Sequence, residues 1–318
     1  MKLLLNLLIT NILLFNCYTK AQDISQHEVA ITIDDLPVVS LQKDIKTHEE
    51  ITKRLLSAIR ASKVPATGFV IGNKLYKEGS IDSSEVNLLK LWLNNGLELG
   101  NHSYSHRSLN DTEIDFYKDD LIKCDNMLKE ILSAYNKTPE FYRQPFLQFG
   151  KNKSKIMDFN KFLKVNKYRM APVTIDNSDW IFARAYENAY LTKDSLNMKN
   201  VAEEYIPYMI TKFEYYRKQS EKLFGYEIKQ ILLIHASRLN SDYIGNLIEK
   251  IQKSGYKIIT LQEAVKDRAY QHDDNYLGNA GISWLHRWAK TEGKEKDFFD
   301  GEPTTPEFVL QLAGISEE

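Results

Sequence analysis

Val29-Ala30-Ile31-Thr32-Ile33-Asp34-Asp35 is the stretch on which the reading of this chain turns: a β-branched, apolar run that ends in two adjacent carboxylates. Such runs read as strands. Four later runs end the same way in polar residues. Leu97-Glu98-Leu99 precedes Gly100-Asn101-His102-Ser103-Tyr104-Ser105-His106, and Phe141-Tyr142 leads to Arg143-Gln144-Pro145-Phe146. Residues 168–175 lead to Asp176-Asn177-Ser178-Asp179-Trp180, and Ile231-Leu232-Leu233-Ile234 leads to His235. Residues 47–62, 84–94 and 112–135 between them read as helices. Strands alternating with helices imply an α/β fold, a parallel sheet covered by helices. Chemistry in such folds gathers at the carboxyl ends of the strands, so the five segments are expected to meet in one pocket.

With 318 residues the chain can bury a full core, and its net charge of −1 gives no support for a nucleic-acid partner. The N-terminus reads as a secretory signal peptide over residues 1–21. Lys2 is followed by an apolar, Asn-interrupted run to Phe15 and then by Thr19-Lys20-Ala21, which places small residues before a cut at Gln22. An exported protein, periplasmic or extracellular, is expected. A lipoprotein anchored through Cys17 is the weaker reading, because Phe15-Asn16 is a poor fit to the small residues that precede such a cysteine. Removal of residues 1–21 leaves Cys124 alone, so no intrachain disulfide is expected, and Cys124 reads as a small buried hydrophobe in a helix.

His102 and His106 have a spacing that lets two imidazoles reach one ion, and Asp35 completes a two-His, one-carboxylate set that leaves positions open for water and substrate. Two solvated histidines are the bland alternative for this spacing alone. Adjacent carboxylates at a strand end repel each other unless a cation is present. Because their side chains diverge, one can bind the ion while the other accepts a proton from the water the ion acidifies. His235, followed by the small Ala236 and Ser237, is a candidate general acid. Arg143 is expected to pair with Asp34, Asp179 to hold His235 protonated, and Trp180 to give a flat wall on which a sugar ring can stack.

Taken together, these segments resemble the motifs of the polysaccharide deacetylases with a NodB-type domain, carbohydrate esterase family 4. The resemblance runs over about residues 28–265 and includes Gly255-Tyr256-Lys257-Ile258-Ile259-Thr260-Leu261, which is similar to the family's closing strand. It implies a distorted (β/α) barrel of seven or eight parallel strands and hydrolytic removal of N-acetyl groups from glycans. It further implies that Asp34 is the base and that Asp35, His102 and His106 hold one divalent ion, zinc by preference and cobalt or nickel as alternatives. Arg143 orients the base, the Phe146 N–H holds the oxyanion, Asp179 tunes the acid His235, and Trp180 and Leu233 line the groove. Phe146 stands where the family often has Tyr, and Ile33 where it usually has Phe, and neither change removes a reacting group.

The expected organisation is a signal peptide over 1–21, a deacetylase domain over 22–268 with a helical insertion at about 181–230, and a C-terminal extension over 269–318 packed on the barrel. Seven tyrosines between Tyr186 and Tyr226 mark the insertion, either shaping the groove or packing as half-buried helix residues. In the extension, His286 between Trp284 and Trp288 reads either as a sugar platform or as a helix burying its indoles, and the second is preferred. The expected partner is an acetylated glycan, such as an N-acetylated polysaccharide, oligosaccharide or peptidoglycan, and no protein partner is implied. Rival readings are an O-acetyl esterase acting on a glycan such as acetylated xylan, a hydrolase of small cyclic amides, and a carbohydrate-binding protein without catalysis.

Overall fold

The structure is a computed structural model that describes residues 27–317; the expected signal peptide lies outside the described residues. In chain order the first half runs β1 (His27–Val39), α1 (Ile45–Ser62), β2 (Thr67–Val70), the short hairpin β3 (Tyr76–Lys77) and β4 (Ser80–Ile81), α2 (Ser83–Asn94), β5 (Glu98–Asn101), α3 (Ile114–Ser133), β6 (Phe141–Tyr142), α4 (Lys153–Val165) and β7 (Arg169–Met170). The second half runs α5 (Asp179–Leu191), α6 (Ser195–Phe224), β8 (Gln230–Ser237), α7 (Arg238–Lys253), β9 (Tyr256–Ile259), α8 (Leu261–Ala264), α9 (Trp284–Thr291) and α10 (Glu307–Ala313).

β1 organises everything else. β8 lies parallel along one edge, from Val29 opposite Gln230 to Asp34 opposite His235. Along the other edge β9 pairs with the first half of β1 and β2 with the second. The sheet continues from β2 through β5, β6 and β7, all parallel, giving seven strands. Its free side curls back, because Ile175 bridges to Leu232 of β8 through two backbone hydrogen bonds of 3.0 and 3.3 Å. The result is a parallel sheet curled into the distorted (β/α) barrel that the family resemblance implies. Val29, Ala30 and Ile33 in β1 and Ile231, Leu232 and Ile234 in β8 are fully buried, as strands covered on both faces must be.

Three elements differ from their expected form. Residues 168–175 form only the two-residue β7 plus the single bridge at Ile175. Pro172 sits between them and has no N–H for a ladder. β1 does not stop at the Asp pair but continues to Val39, with its register broken between Asp34 and Val39. β8 likewise runs past His235 to Ser237.

Residues 181–230 are mostly α5 and α6, joined by a short turn, with Tyr186, Tyr205, Tyr208, Tyr215 and Tyr216 buried. These tyrosines pack the insertion onto the barrel. The extension packs there too. Trp284, His286 and Trp288 are all buried in α9, which rules out a sugar platform on their faces and leaves the indoles as core. Cys124 is buried in α3 as expected. Among the described residues no helix is long and apolar enough to cross a membrane.

Candidate active site

Asp34 and Asp35 within β1, His102 just past β5 and His235 near the end of β8 meet at one cavity of about 650 Å³, which His106 also lines. Asp34 and Asp35 are neighbours in a strand and would ordinarily point to opposite faces. The broken register and the left-handed backbone at Asp35 (φ 67°) turn the second carboxylate into the same cavity as the first. Asp35 Oδ1 lies 3.3 Å from Nε2 of both His102 and His106, and the three candidate ligand atoms all lie within 4.8 Å of one another.

These residues pass a test of fit for a divalent cation. His102 Nδ1 lies 2.7 Å from the Arg143 carbonyl, which can only accept, so Nδ1 donates there and Nε2 is the ring nitrogen turned to Asp35. Burial, followed by the neighbouring His102, pushes the His106 pKa down to about 3, so this ring is neutral at pH 7. Burial favours protonation of Asp35, but Lys74, His102 and His106 outweigh it and hold the pKa well below the usual carboxylate range. Asp35 Oδ1 is buried and makes no hydrogen bond. Two imidazole nitrogens and a buried carboxylate oxygen without a hydrogen bond therefore converge, an arrangement that a cation satisfies.

Asp34 is buried beside this set and is held differently. Arg143, itself fully buried, donates Nη1 to both Asp34 oxygens at 3.2 and 3.1 Å, Nη2 to Thr32 Oγ1 at 3.0 Å and Nε to the Ala171 carbonyl at 2.6 Å. Its guanidinium lies over the Phe69 ring. The Asp34 carboxylate is thus fixed from behind.

On the opposite wall, His235 Nδ1 lies 2.7 Å from Asp179 Oδ1, and Asp179 Oδ2 accepts from the His235 N–H at 2.7 Å and from Asn240 Nδ2 at 2.9 Å. Asn240 Nδ2 also donates to the His235 carbonyl at 2.8 Å. Burial works against charging His235, but Asp179, then Asp35 and Asp34, overcome it and raise the pKa to about 9. Its Nε2 remains for the cavity. Asn177 holds Asp179 in turn, accepting from its N–H at 2.9 Å and donating to the Leu233 carbonyl at 2.7 Å.

Every residue that the resemblance assigns to the site lies in this cluster: Phe146, Trp180 and Leu233 line the cavity with the acids and histidines, and Arg143 and Asp179 stand directly behind it. Trp180 and Phe146 are exposed at the mouth. Asp35, Ser103, His106, Phe146 and Leu147 all have positive φ without being glycine, and left-handed residues of this kind concentrate where function holds them. Sequence reasoning missed Asn240, Lys74, Arg184, Lys212, Glu302 and Gly281. Lys74 lies 3.8 Å from Asp35 Oδ2 and donates to the Asp35 carbonyl, while the last four line the cavity. None stands in a motif; only fold contacts bring them there.

Residues 21–162 match the family described as polysaccharide deacetylase. A peptidoglycan-N-acetylglucosamine deacetylase of Bacillus cereus is 29% identical over 153 residues, 48% of this chain and 46% of its own, so the chain spans less than half the length of that curated relative. Among solved structures, the wild-type family CE4 pseudoenzyme of Bacillus anthracis matches with a TM-score of 0.50 at 19% identity, over 76% of this chain and 66% of that one. A mutant CE4 pseudoenzyme with restored enzymatic activity matches with a TM-score of 0.51 at 20% identity, over 76% of this chain and 68% of that one. At such identities the likeness is one of fold. Residues 21–162 are thus similar to the polysaccharide deacetylase family over less than half of this chain, and the barrel as a whole shares its fold with these solved structures.

Proposed function

We propose that this protein is a metal-dependent hydrolase that removes acetyl groups from N-acetylated sugars of a polysaccharide, an oligosaccharide or peptidoglycan. The observation that carries the reading is the convergence of Asp34, Asp35, His102, His106 and His235 on one cavity. Two of the solved structures with this fold are a pseudoenzyme and its reactivated mutant, so fold alone does not argue for catalysis. The intact set of reacting groups does.

Asp35, His102 and His106 would hold the ion, zinc by preference, which when bound acidifies a water and polarises the acyl oxygen. Asp34, fixed by Arg143, would take the proton of the attacking water as it adds to the acetamide carbon. The Phe146 N–H donates to the oxygen that gains charge. His235, kept protonated by Asp179, delivers its proton from Nε2 to the sugar nitrogen as the C–N bond breaks, giving acetate and a free amine. Trp180 offers the exposed flat face against which a sugar ring stacks. The signal-like residues 1–21 support action outside the cytoplasm.

Acetate release from N-acetylglucosamine oligomers, peptidoglycan and acetylated xylan, each with and without a chelator, tests the reading. Chelator-sensitive release from the first two is expected. Release from xylan alone favours the O-acetyl esterase, and glycan binding without any release favours a non-catalytic protein.

A further inference from the structure

We infer that the C-terminal extension forms part of the working site: residues 278–284 are a strap that fixes the Phe146 peptide, and Gly281 is a positioning residue for the oxyanion donor. This rests on the deacetylase reading above, in which the Phe146 N–H meets the oxygen that gains charge.

Phe146 (φ 58°) and Leu147 (φ 52°) are consecutive left-handed residues, neither of them glycine, in the turn Pro145–Leu147. A backbone of this kind persists only where its surroundings over-determine it. On the cavity side the Phe146 ring meets the His106 ring edge-on at 4.5 Å between centroids. Gly281 closes the other side. A Cβ added there would lie 1.7 Å from the Phe146 carbonyl oxygen, 2.8 Å from its carbonyl carbon and 3.1 Å from the Leu147 carbonyl carbon. These are backbone atoms, which cannot swing away as a side-chain tip can. Gly281 is not in a left-handed conformation, so contact alone is what demands glycine here.

The strap is tied on both sides of that contact. Asn110, four residues past His106, donates Nδ2 to the Asn279 carbonyl at 3.0 Å. Ser283 Oγ donates to the Thr174 carbonyl at 2.7 Å and the Trp284 N–H to the Val173 carbonyl at 2.7 Å, on the segment that leads to Asp176. Behind these ties Leu285 is fully buried and Trp288 nearly so. The strap therefore spans from the His106 loop to the barrel wall across the turn that carries the donor. Gly281 bears on the Phe146–Leu147 peptide, next along the turn from the Phe146 N–H, so a shift there re-aims the donor; because stabilisation of an oxyanion depends on where a preorganised donor points, the effect falls on the transition state rather than on substrate affinity.

The test is Gly281→Ala in the full chain, with Gly245→Ala as control, since a Cβ on Gly245 in α7 would meet only the Ala58 Cβ at 3.8 Å. Metal content and thermal melting are measured beside kcat and KM. The expected result is a kcat loss of ~10- to 100-fold with KM within about twofold and bound metal unchanged, because a displaced donor costs up to what a removed one does. The loss should be as large on an acetyl ester with a good leaving group as on the amide, since both form an oxyanion. Ser283→Ala, which cuts one tie, should fold and lose kcat by a few fold, and it decides the matter should Gly281→Ala not fold. Unchanged kcat in Gly281→Ala, a loss confined to KM or metal content, or unchanged kcat in Ser283→Ala overturns the inference. An unaltered protein that releases no acetate refutes the deacetylase reading with it, whereas an active unaltered protein with an equally active Gly281→Ala refutes the strap alone.

Discussion

The two walls of the cavity are built to opposite rules. On the acid wall the groups behind the His235 ring are fully engaged: Asp179 takes three donors across its two oxygens, and Asn240 serves Asp179, His235 and Tyr205 at once. On the ligand wall Asp35 Oδ1 is buried without a hydrogen bond, facing two imidazole nitrogens. A saturated network fixes one protonation state and one geometry. An unsatisfied convergence of acceptors is instead completed by what it binds. The difference explains how adjacent, chemically identical carboxylates can do different work, since Asp34 is anchored by Arg143 while Asp35 is left open.

The strongest way to break this comparison is to remove one carboxylate at a time. Asp34→Asn is expected to keep its metal and lose kcat by ~10²- to 10⁴-fold, the range for removing a positioned base. Asp35→Asn should instead lose bound metal, with part of the activity restored by added metal. Elemental analysis and steady-state kinetics on both variants separate the two. Metal lost from Asp34→Asn and retained in Asp35→Asn would reverse the roles.

The residues proposed for those roles are legible in the sequence because they stand beside the strands that place them. The apolar runs at Val29–Ile33 and at 231–234 located β1 and β8, and with them Asp34, Asp35 and His235. Where a strand is short the signal fades: β2 is four residues with Gly68 inside it and has no long apolar run to mark it. Residues 168–175 are apolar enough to pass for one strand, yet Pro172 breaks the ladder. The supporting residues were beyond reach for another reason. Asn240 is 61 positions from Asp179 and meets it only because β8 and α7 turn back past the start of α5. Gly281 meets Phe146 through a contact that no local pattern encodes.

The acid wall can be tested through its charge. Asp179→Asn leaves His235 without its main stabiliser, and the expected kcat loss is about 100-fold, within the usual range for a weakened general acid. The sign of the pH effect follows from the raised pKa. His235 stays protonated up to about pH 9 instead of its ordinary 6.5, so activity that needs the acid is present below that limb and lost as pH rises through it. A cation on Asp35 removes part of the lift, so the limb of the metal-loaded protein lies at or below about pH 9. Asp179→Asn should move it down towards 6.5. The pair's contribution to folding is likewise whole below about pH 6.5 and fades towards about pH 9. A limb that does not move in Asp179→Asn would remove His235 from the role of acid.

Asn240→Ala should produce the smallest effect and the sharpest measure of how saturated the acid wall is. Asn240 supplies one of the three donors to Asp179, while both of the others come from His235 itself. Its loss therefore leaves the charge that raises the His235 pKa in place and removes only a lateral restraint. The expected kcat decrease is less than about tenfold, smaller than for Asp179→Asn because the stabilising charge survives. The pH limb should stay within about half a unit of the wild type for the same reason. Stability should pay more than activity does, because the Tyr205 hydroxyl and the His235 carbonyl both lose a buried partner. A fall of about 1–3 kcal/mol is expected from chemical denaturation. Should Asn240→Ala instead match Asp179→Asn in both kcat and the position of the limb, orientation rather than charge would govern the acid, and the two walls would differ less than their hydrogen bonding implies.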